Sequence, residues 1–168
     1  SDPLINEAFT YYEREILPFK NDDMINAKAM PGAHAALQAV QDAGLRCALF
    51  TNPSFPQGAI ECRMGWGDLA DAPFELVTHM GNATRCKPDA TYYLEQLQVM
   101  GLEPHEVLMV GNDPKRDFPS PTCGIQTAFV GQGKPSRATW HGTMENFACD
   151  FNAVVEAFYE HQVADELS

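Results

Sequence analysis

A doubly wound α/β fold around a parallel sheet is predicted by three features of the sequence. Four short apolar runs, at 47–50, 74–80, 106–111 and 125–131, alternate with segments of helical periodicity. Helices lying between strands imply right-handed parallel crossovers. Polar, chemistry-bearing residues stand just beyond these runs, at the strand ends where ligands bind in sheets of this type.

The elements follow in order. Phe9, Tyr12, Ile16 and Phe19 recur at spacings of three and four, so 4–19 reads as an amphipathic helix ending at Pro18. A polar stretch, KNDDMINAKAM, then reads as a linker or as the exit from a small subdomain. Pro31 opens a helix through about Ala43 that Gly44 closes, the Pro-first, Gly-last asymmetry of helix ends. Cys47–Phe50 is continuously apolar, as expected of a strand covered on both faces. Ser54 and Gln57 fit a capping box with Pro56 in the first turn, predicting a helix over about 55–64. FELVTHM (74–80) is the second strand. Asp89 caps a helix to Met100, and Gly101 ends it. EVLMVG (106–111) and IQTAFVG (125–131) are the third and fourth strands. Asp150 to His161 forms a last helix with Phe151, Val154, Val155 and Phe158 on one face.

A chain of 168 residues can bury about 70% of its unfolded surface in one domain. Its net charge of −12, from 11 basic and 23 acidic residues, disfavours a nucleic-acid partner. A phosphorylated substrate would then need local cations, from Arg85–Lys87 or Lys115–Arg116. There is no run of 18 apolar residues to span a membrane. The first 16 residues are acidic and amphipathic, unlike a signal peptide, so the cytoplasm is the expected compartment. Five cysteines without a CxxC pair argue against a disulfide framework or a structural zinc site, and are expected to be buried free thiols.

Three groups carry the chemistry. Thr51 and Asn52 follow the first strand, Lys87 lies in the loop after the second, and Asp113 and Asp117 follow the third. Phosphoryl transfer needs cations and hydrogen-bond donors around a spread negative charge. Lys87 supplies the first, and the Thr51 hydroxyl with the backbone N–H groups at 51–52 supplies the second. Magnesium prefers oxygen ligands and takes one or two carboxylates, which two aspartates four residues apart at a helix start provide. Each group also has a plainer reading: Asp113 before Pro114 is a good helix cap, Thr-Asn-Pro a turn, Lys87 a surface lysine. Their joint order at one predicted edge is what favours a site. His79, Trp140 and His141 are weaker candidates. One of Tyr92 and Tyr93 is expected to pack and the other to face solvent.

In ALFTN with Thr51, RCKPDATYY with Lys87, and MVGNDPKRD with Asp113 and Asp117, the chain resembles the haloacid dehalogenase superfamily, mostly magnesium-dependent phosphatases. The similarity runs from about Pro31 to Val130. It implies that Thr51 binds the phosphoryl group, Lys87 stabilises it and the nucleophile, and Asp113 and Asp117 hold Mg2+. It further implies a Rossmann-type core over 29–168, with 1–28 as a remnant of a helical cap, acting on a small phosphorylated metabolite.

The family's first motif, an apolar strand ending in Asp-x-Asp, has no counterpart before Thr51. Neither Asp2 nor Asp22–Asp23 follows a strand. In the family that strand is central, between those predicted at 46–50 and 106–110. Its absence would orphan roughly five backbone groups at about 1–3 kcal/mol each. The expectation is that an N-terminal segment outside this chain, or a neighbouring chain, completes the sheet. The alternative function is a non-catalytic module that keeps the scaffold without the nucleophile.

Overall fold

The computed structural model describes residues 3–22 and 25–166; Asp2 and Asp23 fall outside them. Among the described residues the strands form two parallel sheets instead of one. In the first, β1 (Ala48–Leu49) pairs with β2 (Leu76–Val77), Ala48 opposite Leu76. In the second, β3 (Leu108–Gly111), β4 (Gln126–Val130) and β5 (Trp140–Gly142) lie side by side in that order. The helices are α1 (Pro3–Tyr11), α2 (Ala33–Asp42), α3 (Gln57–Trp66), α4 (Ala90–Met100), α5 (Met144–Cys149) and α6 (Phe151–Glu166).

The two-residue period of β3 divides its side chains between two cores. Leu108 and Val110 join Ala128 and Val130 of β4, Ala36 of α2, Phe147 of α5, and Phe151 and Val154 of α6. Val107 and Met109 face the other way, onto Tyr92, Tyr93 and Leu97 of α4, in a cluster that also takes Phe50 from the end of β1. Helices therefore cover both faces, as a doubly wound fold requires. Phe50 and Met109 in one cluster also bring the two sheets together over α4.

The division of the sheet has a visible cost in exposure. β1 bonds no strand but β2, and β3 none but β4, so each has an edge without a strand partner among the described residues. Ala48, Leu49, Phe50, Leu108, Met109 and Val110 are all half-buried, whereas Ala128, Phe129 and Val130 of β4 are buried. Apolar residues of β1 and β3 thus stay partly wet, although the sequence reads as written for a two-sided core.

Several local expectations change. α2 starts at Ala33, because Pro31 and Gly32 form a turn and Gly32, at φ 85°, is its cap. A Cβ on Gly32 would stand 2.6 Å from the Glu145 backbone nitrogen, so the glycine also permits α2 to approach α5. The capping box at Ser54 and Gln57 does not form. α3 begins at Gln57, whose amide bonds Glu61 one turn on, and Pro56 is the cap. The first helix loosens at Tyr12–Ile16 into a π-turn and then into a 3-10 turn, Leu17–Lys20, around Pro18. Phe9 and Phe19 on this segment are exposed. Trp140 and His141 belong to β5, an unanticipated strand, and the Trp140 ring packs edge-on against Phe147. Of the five free thiols only Cys123 is buried, while Cys86 and Cys149 are exposed.

Candidate active site

The turn after β3 is built around one carboxylate. Gly111 ends the strand, and the chain then makes a single turn in which the N–H groups of Arg116 and Asp117 donate to the Asp113 carbonyl at 3.1 and 2.7 Å. The helix expected to start at Asp113 does not propagate, because Phe118 and Pro119 turn inward and are buried. The turn swings the Asp117 side chain back over the strand end. Its Oδ2 accepts from the N–H groups of Asn112 and Asp113, at 3.0 and 2.9 Å. A Cβ on Gly111 would lie 2.5 Å from the Asp117 Cβ, so only glycine leaves room for this fold-back.

Lys87 reaches the same carboxylate from the loop after β2. Its Nζ stands 2.7 Å from Asp117 Oδ1, and the two side chains are only 11% and 12% exposed. A buried charge pair persists where geometry and further hydrogen bonds offset desolvation, and the two backbone donors on Oδ2 supply those bonds. The Lys87 N–H also donates to Asn52 Oδ1 at 3.1 Å, which ties in the loop after β1.

Thr51 is held by Thr78, at the end of β2. The Thr51 N–H donates to Thr78 Oγ1 at 2.7 Å, and the Thr51 hydroxyl donates to the Thr78 carbonyl at 2.6 Å. Both donors foreseen for phosphate at this residue are thus engaged within the protein. Thr78 is fully buried and was not singled out from the sequence. Its signal was a hydroxyl at the end of a strand facing Thr51 across a parallel pair.

The tyrosine expected to face solvent does not. Tyr92 and Tyr93 are both completely buried, with rings 5.1 Å apart and near perpendicular. The Tyr92 hydroxyl donates to the Thr51 carbonyl at 2.6 Å, and the Tyr93 hydroxyl donates to the Asp117 carbonyl. Burial pushes the Tyr92 phenol up to about 12 and raises that of Tyr93 too. His79, by contrast, closes its own loop by accepting from the Gly81 N–H at 3.0 Å.

The structure therefore brings Asn52, Lys87 and Asp117 into one bonded network, with Asp113 joined to it through Asp117, while Thr51, next to Asn52 in the chain, bonds Thr78 and Tyr92 instead. Among the described residues no three metal-ligating side chains cluster. The donor set of the turn nevertheless suits magnesium. Asp113 Oδ1 accepts from the N–H groups of Lys115 and Arg116, but Oδ2 has only Arg116 at 3.6 Å, on a side chain 80% exposed. A hard cation that keeps most of its waters needs one such oxygen and a second carboxylate nearby.

The chain is 28% identical over 120 residues to the phosphoglycolate phosphatase of Rhodospirillum rubrum, covering 71% of this chain and 48% of that protein. It is 23% identical over 157 residues to the phosphoglycolate phosphatase of Nitrosospira multiformis, covering 94% of this chain and 64% of that one. It thus spans from about half to just under two thirds of the length of these relatives. In fold it is similar to β-phosphoglucomutase from Clostridium difficile, with a TM-score of 0.66 and 16% identity over 94% of this chain and 66% of that one. The family description "haloacid dehalogenase-like hydrolase" matches residues 4–121, well over half of the sequence. The chain belongs to the haloacid dehalogenase-like hydrolases.

Proposed function

We propose that this chain supplies the phosphate- and metal-binding side of a magnesium-dependent phosphatase acting on a small phosphate monoester. The observation that carries the reading is the meeting of three strand-end loops on one lysine, Lys87, bonded to Asp117 through Nζ and to Asn52 through its N–H. An ammonium group has three donors. With one held by Asp117, two remain for a phosphoryl oxygen and an attacking carboxylate. Asn52 offers its side-chain amide from the same rim. The Thr51 hydroxyl joins them by turning away from the Thr78 carbonyl.

Asp113 and Asp117 would hold Mg2+, Asp113 through its open Oδ2. Bound there, the ion would neutralise charge on the phosphoryl oxygens. Lys87 meanwhile stabilises the carboxylate that forms the aspartyl-phosphate. That carboxylate comes from a strand outside this chain, provided by an N-terminal segment or a neighbouring chain and seated between β1 and β3. Residues 1–28 are the remnant of a helical cap, and 29–168 the core it serves. No helix among the described residues is long and apolar enough to cross a membrane, and we place the protein in the cytoplasm.

The test is hydrolysis of p-nitrophenyl phosphate and phosphoglycolate, with and without Mg2+, by the chain extended N-terminally with its first strand. Turnover that requires Mg2+ and disappears in Lys87→Ala supports the reading. An extended protein that binds Mg2+ and phosphate but turns over neither substrate would favour a non-catalytic binding module.

A further inference from the structure

Two neighbouring residues of α4 aim hydroxyls at two different parts of the candidate site. Consecutive helix positions project about 100° apart, so one helix can address two loops at once. Tyr92 reaches the Thr51 carbonyl in the loop after β1, and Tyr93 reaches the Asp117 carbonyl in the turn after β3. The same helix begins three residues after Lys87, with Asp89 capping it by accepting from the Thr91 N–H at 2.9 Å. All three site loops therefore connect to α4.

Packing alone does not call for these hydroxyls. Both rings are fully buried, and Phe50 meets Tyr92 edge-on at 5.8 Å and Tyr93 at 6.3 Å. Phenylalanine would fill that volume without the desolvation cost of a buried hydroxyl. What the hydroxyls add is a fixed peptide orientation at Thr51 and Asp117, in two of the site loops. Thr78 reinforces the first tether, its Oγ1 lying 2.9 Å from the Tyr92 hydroxyl and accepting from the Thr51 N–H.

We propose that Tyr92 and Tyr93 are positioning residues, Tyr92 for the phosphate-binding loop and Tyr93 for the metal-binding turn, and that α4 holds the two in a fixed relation. The inference rests on the site assignment made above, and its test separates the two. Mg2+ and inorganic phosphate affinities are measured by calorimetry on Tyr92→Phe, Tyr93→Phe, Phe50→Leu and Asp113→Asn, together with thermal stability.

Tyr93→Phe should weaken Mg2+ about tenfold with phosphate little changed, and Tyr92→Phe should do the reverse. Phe50→Leu removes ring contacts but no tether, so it should lower stability and leave both affinities within about twofold. If both tyrosine variants lose stability alone, or if Phe50→Leu shifts affinity as much as they do, the positioning role is overturned. If Asp113→Asn leaves Mg2+ binding intact, the site assignment itself fails. Ring resonances of the unmodified protein give a check that needs no variant. Those of Tyr93 should move on adding Mg2+ and those of Tyr92 on adding phosphate, and the absence of both shifts would overturn the proposal.

Discussion

Asp113 and Asp117 are the same residue type four positions apart, yet the turn gives them opposite environments. Asp117 is buried, paired with Lys87 and bonded to two backbone N–H groups, while the Asp113 side chain is 42% exposed and its Oδ2 meets only the exposed Arg116 guanidinium, at 3.6 Å, among the described residues. Their substitutions should therefore separate. Asp113→Asn retains the oxygen that accepts from Lys115 and Arg116, so stability should change by no more than about 0.5 kcal/mol. Turnover of the extended protein should nonetheless fall by orders of magnitude, and parallel kinetic and melting measurements check this. Equal losses of fold and activity would assign Asp113 a capping role instead. Asp117→Ala strands the Lys87 ammonium in a largely buried position and should cost about 3–5 kcal/mol, read by denaturant unfolding. Gly111→Ala places a methyl group 2.5 Å from the Asp117 Cβ. We expect about 1–3 kcal/mol of overpacking and a displaced Lys87–Asp117 pair, visible as weakened phosphate binding in a protein that still folds. The identities of these residues were legible in the sequence. The division of labour between them was not, because it depends on a turn that stops after one cycle where Asp-Pro promised a helix.

At the scale of elements, α4 was the most legible part of the chain and also the part whose role was least foreseen. Asp89 as cap and Gly101, at φ 66°, as terminator stand where the sequence placed them. The side chains of its first turn do not, since both tyrosines are buried against residues 41 and 24 positions away. Their titration has a direct consequence. A phenol whose folded-state value lies above its ordinary 10.0 contributes stability that is complete below pH 10. That contribution is lost as pH rises through about 12 for Tyr92. Melting temperature should therefore fall with pH from about 10 upward, and the fall should be shallower in Tyr92→Phe. An unchanged slope in that variant would show that other groups drive alkaline unfolding. β5 and α5 were missed for a related reason. WHG is too short for a period to register, and the capping box of Thr143 and Asn146 precedes only six helical residues.

For the whole molecule, the dominant feature is a parallel sheet in two pieces sharing a core over α4. Backbone groups along a sheet edge exchange with solvent more readily than those inside the sheet. Amide hydrogen exchange should thus be slow for Thr127–Val130 of β4 and faster for Ala48–Leu49 and Leu108–Val110. Extension of the chain by its first strand should protect both fast segments together. Protection of neither would place the added strand elsewhere. From sequence alone came the alternation of strands and helices, and the order of Thr51, Lys87, Asp113 and Asp117 along it. Those are local properties of composition, period and turn chemistry, which neighbouring residues decide. Tertiary structure alone decided that Lys87 pairs with Asp117, that Thr78 takes both donors of Thr51, and that the tyrosine pair braces two loops. Each of those contacts joins residues from different elements, so it exists only once the strands and α4 have packed.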